Sequence, residues 1–182
     1  MNARQMSMRS SLRAALTGAG CLLIFTAVPV RAHQPFIEPA PASEQSIHAL
    51  QLDQAVRIQD PTRASIAVYG VLSTPEEADL YRFTAAGNAD IPVEVLVPVR
   101  SANKSFRPSL AVIRRGRGPE GNGYPLVLPE GYSAAVVRPD RQADREIFFE
   151  PFSLEKLYHG REETIRVEEG ETYYLAVFEE NH

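Results

Sequence analysis

The chain has 182 residues, a formal net charge of −4 and a single cysteine, Cys21. This length suits one domain, and one cysteine cannot build a disulfide framework. The acidic balance argues against nucleic acid or an anionic membrane surface as the partner. The 14 prolines argue against a helical bundle, because proline lacks the N–H that a helix needs and clashes with the preceding turn.

Residues 1–32 have the three parts of a cleavable signal peptide. Three arginines and no acid lie in the first 13 residues, an apolar stretch covers residues 14–30, and Val30-Arg31-Ala32 supplies the small residues that precede a cleavage site. The apolar stretch is short for a transmembrane helix, which needs about 20 residues, so an uncleaved membrane anchor is the weaker alternative. We therefore expect a secreted or periplasmic protein with no membrane span in its mature chain.

Cleavage after Ala32 would remove four arginines and no acid, which lowers the formal charge from −4 to −8. The residues that follow, 33–46, contain Pro35, Pro39 and Pro41 among small and polar residues. This composition predicts an extended Pro-rich leader, which leaves residues 47–182 as the folded domain.

The rest of the chain has the pattern of short β-strands. Apolar residues alternate with polar ones, or form short apolar runs, between glycine, proline, asparagine and aspartate. Helical turns are predicted only at 74–77 and 153–158, and a long loop at 116–131. Strand spacings of about 8–15 residues favour an all-β, jelly-roll-like antiparallel β-sandwich. The ten predicted strands are 47–52, 55–58, 65–72, 78–84, 91–98, 109–114, 134–138, 146–150, 163–167 and 172–178.

Two motifs carry a resemblance to a known family. The pattern Asp-x-Tyr-x-Phe occupies residues 79–83, and Gly-x-x-Tyr-Tyr-Leu occupies residues 170–175. They lie within a segment, 65–178, that resembles the bacterial pre-peptidase C-terminal domain, a secreted jelly-roll-like β-sandwich. The resemblance implies a non-catalytic role, such as binding a glycan or matrix, or assisting secretion. It also implies calcium as a ligand, since some collagen-binding relatives use it, but it assigns no ligand residue here.

The end of the chain departs from that family. A further strand usually follows the Tyr-Tyr-Leu strand, whereas this sequence stops at His182. We therefore expect either a shortened sequence or a missing last strand. A missing strand would leave Thr172–Phe178 with an exposed edge, and such an edge pairs readily with a strand of another chain.

His33 is the sharpest candidate for metal binding. Cleavage after Ala32 makes His33 the first residue, so its α-amine and ring nitrogen could chelate one copper ion, with a second histidine completing the site. Copper carriers and copper-oxidative enzymes use such a histidine brace. The second ligand would be His48, His159 or His182, and His159 is favoured because it lies in a predicted turn. The alternative is that His33 is a solvated residue of the leader.

Acidic clusters give a second metal hypothesis. Calcium requires six to eight oxygen ligands, and no Asp-x-Asp-x-Asp-Gly loop is present, so separate loops would have to assemble the site. The favoured alternative is a solvated acidic rim. The clusters are Glu76, Glu77 and Asp79; Glu168, Glu169 and Glu171; and Glu179 and Glu180.

Residues 145–152 combine charges with aromatic side chains. Glu146 and Glu150 are four apart and share one face of a strand, which would allow acid–base chemistry on a sugar. The favoured interpretation instead places Ile147 and Phe149 on the core side and pairs the glutamates with arginines such as Arg145 or Arg161. Nearby aromatic residues form either a sugar-stacking platform or loop anchors; these are Tyr132, Phe152 and Tyr158.

The sequence contains no motif for nucleophilic, nucleotide-dependent or zinc-protease chemistry, and we predict no catalytic residue. We expect an exported, non-catalytic binding module for a glycan, a matrix component or an extracellular or envelope protein. The alternative function is a copper-binding or copper-oxidative protein that uses His33 and His159.

Overall fold

The computed structural model describes residues 34–37, 44–116, 126–139, 144–151 and 153–180, which all belong to the compact unit Arg31–His182. The predicted signal peptide lies outside the described residues, as does most of the loop predicted at 116–131. The described secondary structure consists of short strands and two 3-10 turns, Leu52–Gln54 and Ser101–Asn103. The strands are β1 (Gln34–Ile37), β2 (Glu44–Ser46), β3 (Val56–Arg57), β4 (Ile66–Tyr69), β5 (Glu77–Thr84), β6 (Ala89–Val93), β7 (Val97–Pro98), β8 (Ser109–Arg115), β9 (Tyr132–Val137), β10 (Ile147–Glu150), β11 (Glu155–Tyr158), β12 (Glu163–Val167) and β13 (Thr172–Phe178).

The largest sheet has six strands in the order β2-β5-β13-β8-β9, with β3 also paired to β5. Its long strands, β5, β13, β8 and β9, are antiparallel. Three smaller sheets accompany it: β6 with β12, the hairpin β10–β11 with β7, and the parallel pair β1–β4. The prediction of an all-β fold built mainly from antiparallel sheets is confirmed.

Both faces of the six-stranded sheet are buried, because successive side chains of a strand point to opposite faces. One face forms the first core together with segment 47–55 and Leu126. The other forms the second core together with β6 and β12. The sheet residues of the first core are Ala78, Leu80, Ala111, Ile113, Ala134, Tyr174, Ala176 and Phe178. Those of the second core are Tyr81, Phe83, Val112 and Tyr173.

The segment predicted as a strand at 47–52 is a turn followed by a 3-10 turn. The buried residues between positions 47 and 55 are Ile47, Leu50, Leu52 and Ala55. Successive ones lie three, two and three positions apart, without the strict alternation of a half-buried strand. The segment crosses one face of the six-stranded sheet instead of joining it. The strand prediction was wrong here. The apolar residues of the segment are buried because they pack onto the first core, and not because the segment pairs with a neighbouring strand.

The Pro-rich segment 33–46 contributes two strands to the sheets in its described part. β1 lies parallel to β4 with Gln34 opposite Ile66, and Phe36 packs against the second core. β2 extends the edge of the six-stranded sheet with Gln45 opposite Ala78. The described residues of this segment are therefore paired with strands of the folded unit, and the prediction of a leader over 33–46 stays a prediction.

Neither predicted helical turn forms a helix. At 74–77 the chain makes a turn, and Glu77 begins β5. The buried carboxylate of Glu77 accepts the backbone N–H groups of Ser73 at 2.8 Å and Thr74 at 3.1 Å. The side-chain hydrogen bonds expected at a helix start are therefore present, but no helix follows them. At 153–158 a turn leads directly into β11.

The prediction of an exposed edge at Thr172–Phe178 was wrong. β13 lies in the interior of the six-stranded sheet, where Tyr174 is opposite Arg82 of β5 on one side and Ile113 of β8 on the other. Its backbone groups are therefore used by two neighbours along the whole strand, and nothing is left for a strand from another chain. Within the described part of the chain, no helix has the length and apolar character needed to cross a bilayer.

Candidate functional site

A cleft of about 420 Å³ lies where five chain segments meet at the ends of strands. Its walls include two valines and two prolines, and its polar residues come from the segments before β8, before β10 and after β11. We call this cavity the arginine cleft. Its charged and polar lining residues are Arg107, Asp144, Arg145, Glu146, His159 and Arg161.

Arg145 is held rigidly in the arginine cleft. Its Nη1 donates a hydrogen bond of 2.8 Å to the carbonyl oxygen of Phe106, and its guanidinium carbon lies 4.2 Å from the centre of the Tyr158 ring. Burial lowers the pKa of Arg145, and the positive charge of Arg107 lowers it further. The side chain nevertheless stays protonated, because arginine does not lose its proton in proteins. A fixed guanidinium of this kind is suited to binding a carboxylate or phosphate.

Arg107 is half-buried beside Arg145 and has an unused donor. Its Nη1 donates to the carbonyl oxygen of Lys104 at 3.0 Å, whereas its buried Nε has no hydrogen-bond partner. Among the described residues, neither Arg107 nor Arg145 has a carboxylate within 4.0 Å. A buried donor without a partner costs about 1–3 kcal/mol, and two adjacent positive charges repel each other. A bound anion would relieve both penalties.

His159 forms one wall of the arginine cleft. Its Nδ1 donates to Glu94 Oε1 at 2.7 Å, and the same oxygen accepts the backbone N–H of Gly160 at 3.0 Å. The imidazole also packs against Phe148, with ring centres 4.5 Å apart. At Gly160, a Cβ atom would lie 2.3 Å from the carbonyl oxygen of Val95. This wall therefore requires glycine at 160 and is fixed by backbone as well as side-chain contacts.

Arg161 contributes less free charge to the arginine cleft than its two neighbours. It is exposed and forms an ion pair of 2.5 Å with Glu163. Exposed pairs of this kind are worth little to stability, and the carboxylate neutralises the guanidinium locally. The unpaired positive charge of the cleft is therefore that of Arg107 and Arg145, while Asp144 and Glu146 add exposed carboxylates to its lining.

A second cavity, of about 370 Å³, is lined in part by Phe36, Arg57 and Asp60. The Asp60 carboxylate accepts hydrogen bonds from the N–H and hydroxyl of Thr62 and from the N–H of Ala86, at 2.7–2.9 Å. Its oxygens already serve the turn that follows β3, and among the described lining residues of this cavity no buried side-chain atom lacks a hydrogen-bond partner. We therefore regard the arginine cleft as the candidate functional site.

The predicted copper ligands are described only in part. His159 lines the arginine cleft and is hydrogen-bonded through Nδ1. His33 and His182 lie outside the described residues, so the pairing of His33 with His159 stays a prediction. Within the described ranges, no group of three or more histidine, cysteine, aspartate or glutamate side chains could hold a metal ion.

The acidic clusters have different environments. Glu77 and Asp79 are buried, and Glu77 binds the backbone of the preceding turn as described above. Glu180 forms an ion pair of 2.9 Å with Arg138 and accepts a hydrogen bond from Ser109. Glu168, Glu169 and Glu171 are exposed. The structure therefore gives several of these acids stabilising contacts within the fold, and the calcium hypothesis stays a prediction.

The predicted orientation of segment 145–152 was wrong. Ile147 and Phe149 are 49% and 55% exposed, whereas Glu150 is buried and Phe148 half-buried. Glu150 Oε2 accepts the backbone N–H of Ser153 at 2.6 Å. The alternation of a strand is present, but Phe148 and Glu150 face inward where Ile147 and Phe149 were predicted to do so. The contact between Phe148 and His159 fixes this orientation.

The predicted arginine partners of the glutamates are used elsewhere. Arg145 binds backbone carbonyl oxygens and Arg161 pairs with Glu163. The aromatic platform is also not assembled in the described residues: Tyr132 packs edge-on against Tyr174 in the first core, at 5.9 Å between ring centres, and Tyr158 lies under Arg145. Phe152 lies outside the described residues.

Sequence reasoning missed Arg107 and assigned Arg145 the wrong partner. The only signal was the density of charges near 145, since Arg107 meets that segment through tertiary contacts. Comparisons with protein-family models, curated proteins and solved structures found no match to this chain. The resemblance to the pre-peptidase C-terminal domain therefore stays a hypothesis, and the functional argument depends on the geometry of the arginine cleft.

Proposed function

We propose that this chain is an exported, non-catalytic binding domain whose arginine cleft holds a ligand through an anionic group. The main observation behind the proposal is the pair Arg107 and Arg145, two half-buried guanidinium groups without a described carboxylate partner. The ligand belongs to a glycan, a matrix component or an envelope protein that carries carboxylate, sulfate or phosphate groups.

Three features support binding at this cleft. Arg145 is already held by Phe106 and Tyr158, so little side-chain entropy is lost when it binds a ligand. The Nε of Arg107 offers a donor that no protein group uses. Valine and proline side chains in the walls lower the local dielectric constant, which strengthens an ionic contact.

Export and the non-catalytic role are supported by the sequence. Residues 1–32 have the pattern of a signal peptide, and the motifs of common hydrolases and nucleotide-dependent enzymes are missing from the sequence. The cleft combines the unpaired guanidinium groups of Arg107 and Arg145 with the exposed carboxylates of Asp144 and Glu146 at its rim, which favours recognition of charge at the two half-buried arginines.

The proposal is tested by calorimetric titration of the purified protein with an acidic oligosaccharide, trigalacturonate, and with its neutral galactose analogue. We expect binding of the acidic sugar alone, weakened by salt because screening reduces ionic attraction. Arg145→Gln removes one guanidinium and should weaken binding tenfold or more, since a hydrogen bond to a charged group contributes about 1.5–3 kcal/mol.

The matched control is Arg114→Gln, which makes the same charge change at an exposed position of β8. It should leave the affinity within about twofold of that of the unmodified protein, because distant exposed charges are screened. Equal loss in both variants, or equal binding of the neutral sugar, would contradict a specific anion site. An acidic peptide tested in the same way separates a protein ligand from a glycan.

A second candidate function, copper binding by His33 and His159, is favoured by one observation. The Nδ1 of His159 is hydrogen-bonded to Glu94, and metal-binding histidines commonly make such a bond through the nitrogen that does not hold the metal. Mass spectrometry of the mature protein establishes whether His33 is the first residue. Equimolar Cu²⁺ binding that is lost in both His33→Ala and His159→Ala would support this function, and binding unaffected by either variant would exclude it.

A further inference from the structure

We propose that β9 is a docking edge at which a second copy of this chain adds its own β9, so that the six-stranded sheets of two copies join in an antiparallel dimer. Among the described strands, β9 lies at the end of the sheet and pairs with β8 alone. This proposal is independent of the arginine cleft.

The hydrogen-bond phase of β9 shows which of its backbone groups point away from β8. Gly116 donates its N–H to the carbonyl oxygen of Gly131 at 2.8 Å, and the register of β8 and β9 places these two residues opposite each other. Antiparallel pairs alternate between hydrogen-bonded and non-hydrogen-bonded positions. Ser133, Ala135 and Val137 therefore face β8 with their backbone groups, and Tyr132, Ala134 and Val136 face outward.

The outward groups are not used within the described chain. The N–H of Tyr132 reaches the carbonyl oxygen of Pro129 in the preceding turn at 3.2 Å. The N–H groups of Ala134 and Val136 have no such turn or loop partner among the described residues. An exposed row of unpaired N–H and C=O groups is a template for another strand.

The two edges of the sheet differ in how they are protected. The opposite edge is formed by β2 and β3, which have three and two residues, and very short edge strands are one of the devices that prevent edge pairing. β9 has six residues, Tyr-Ser-Ala-Ala-Val-Val, without a charge or a proline. It therefore lacks the usual protection of an exposed edge.

A second copy fits this edge because β9 is self-complementary. In a two-fold arrangement centred on Ala134, each Ala134 lies opposite its symmetry mate, and Tyr132 lies opposite Val136 of the other copy. All three outward residues are then paired, as an isologous interface requires. The same register brings Glu130, just before the strand, to the end where Arg138 follows the partner's strand. Arg138 already pairs with Glu180 of its own chain, so Glu130 would share this guanidinium at both ends of the interface.

The association is tested by sedimentation equilibrium of the purified protein over a concentration series. We expect twice the monomer mass at the higher concentrations. Val136→Pro removes an outward N–H without touching the β8 ladder, a place where proline is tolerated in an edge strand, and should give a monomer with an unchanged circular dichroism spectrum. Ala135→Lys, at an exposed position, places like charges diagonally across the interface and should weaken the dimer at least tenfold.

The register is tested separately by disulfide formation in a Cys21→Ala background. Ser133 of one copy faces Ala135 of the other in the proposed register, at a non-hydrogen-bonded pair where the Cα atoms are about 4.5 Å apart, within reach of a disulfide. The double variant Ser133→Cys with Ala135→Cys should form a disulfide-linked dimer on oxidation, and Ser133→Cys alone should not. A monomer at all concentrations, or a dimer that persists in both Val136→Pro and Ala135→Lys, would overturn the proposal.

Discussion

The six-stranded sheet and the arginine cleft differ in how they place their charges and their apolar side chains, although each contains a buried polar atom without a described partner, Glu77 Oε1 in the sheet and Arg107 Nε in the cleft. In the sheet, Phe178, Leu80 and Ile113 are fully buried, and the backbone of β13 is paired on both sides. In the cleft, Arg107 and Arg145 carry charges without a described counter-ion, and one buried donor lacks a partner. Where a stable fold leaves such a local cost, function is the usual reason. The sheet therefore accounts for stability, and the cleft is the proposed binding site.

The difference follows from position in the fold. The sheet residues belong to strands whose two faces are both covered. Apart from Val97 of β7, the cleft residues lie in the connections after β6, β9 and β11 and before β8 and β10. Connections held by a rigid scaffold are where binding residues concentrate. The two regions should accordingly respond in opposite ways to substitution.

The largest effect is expected in the sheet. Phe178→Ala removes a ring that is 0% exposed in the first core, and such a truncation typically costs about 3–5 kcal/mol. Urea unfolding measures this loss. Leu154→Ala, at a side chain that is 73% exposed, is the control and should change stability by less than about 0.5 kcal/mol. Similar losses in the two variants would contradict the assignment of the core.

An intermediate effect is expected at Asp60. Burial raises its pKa, but hydrogen bonds from Thr62 and Ala86, together with the charge of Arg63, outweigh it, so the pKa lies below its usual value. Asp60→Ala should cost about 2 kcal/mol at neutral pH, because hydrogen bonds to a charged group are lost. Since the ionised form stabilises the folded state, the difference from the unmodified protein should be complete above the usual carboxyl pKa.

That difference should shrink as the pH falls through the lowered pKa of folded Asp60. Thermal unfolding of both proteins between pH 7 and pH 2 measures it. A difference that stays constant over this range would show that the carboxylate charge contributes nothing. Thr62→Val, which removes the one hydroxyl among the three donors to Asp60, serves as a partial control and should give a smaller change of the same sign.

The smallest effect on stability, and one of opposite sign, is expected in the cleft. Arg107→Met removes an unpartnered buried donor and a charge that repels Arg145, while its methylenes keep part of the packing. We expect stability to rise by about 1 kcal/mol or less, while anion binding is lost. A stability loss of more than about 1 kcal/mol would show that Arg107 serves the fold.

Much of the sheet could be predicted from the sequence, because its strands combine apolar runs with clear turn residues at both ends. The bounds 163–167 and 172–178 agree with β12 and β13. The order of the strands could not be predicted, since it depends on contacts between distant segments. The central position of β13 was missed for this reason.

The arginine cleft could be predicted only as a charged region around residue 145. The phase of β10 was misjudged because Ile147, Phe148 and Phe149 are all apolar, so the sequence does not show which side faces inward. Arg107 has no distinguishing neighbour in the sequence. Its unpaired state becomes visible only when Arg145 is placed beside it by the fold.

The most direct test is an NMR titration that follows the Nε–Hε signals of the arginines while trigalacturonate is added. Binding at the cleft predicts saturable shifts of Arg107 and Arg145 with one common dissociation constant, and no shift of Arg114. The donor on Arg107 should show the larger change, because its Nε gains a hydrogen-bond partner. Signals of Arg107 and Arg145 that stay unmoved at saturating ligand, or that shift no more than Arg114, would contradict the assignment of this cleft as the binding site.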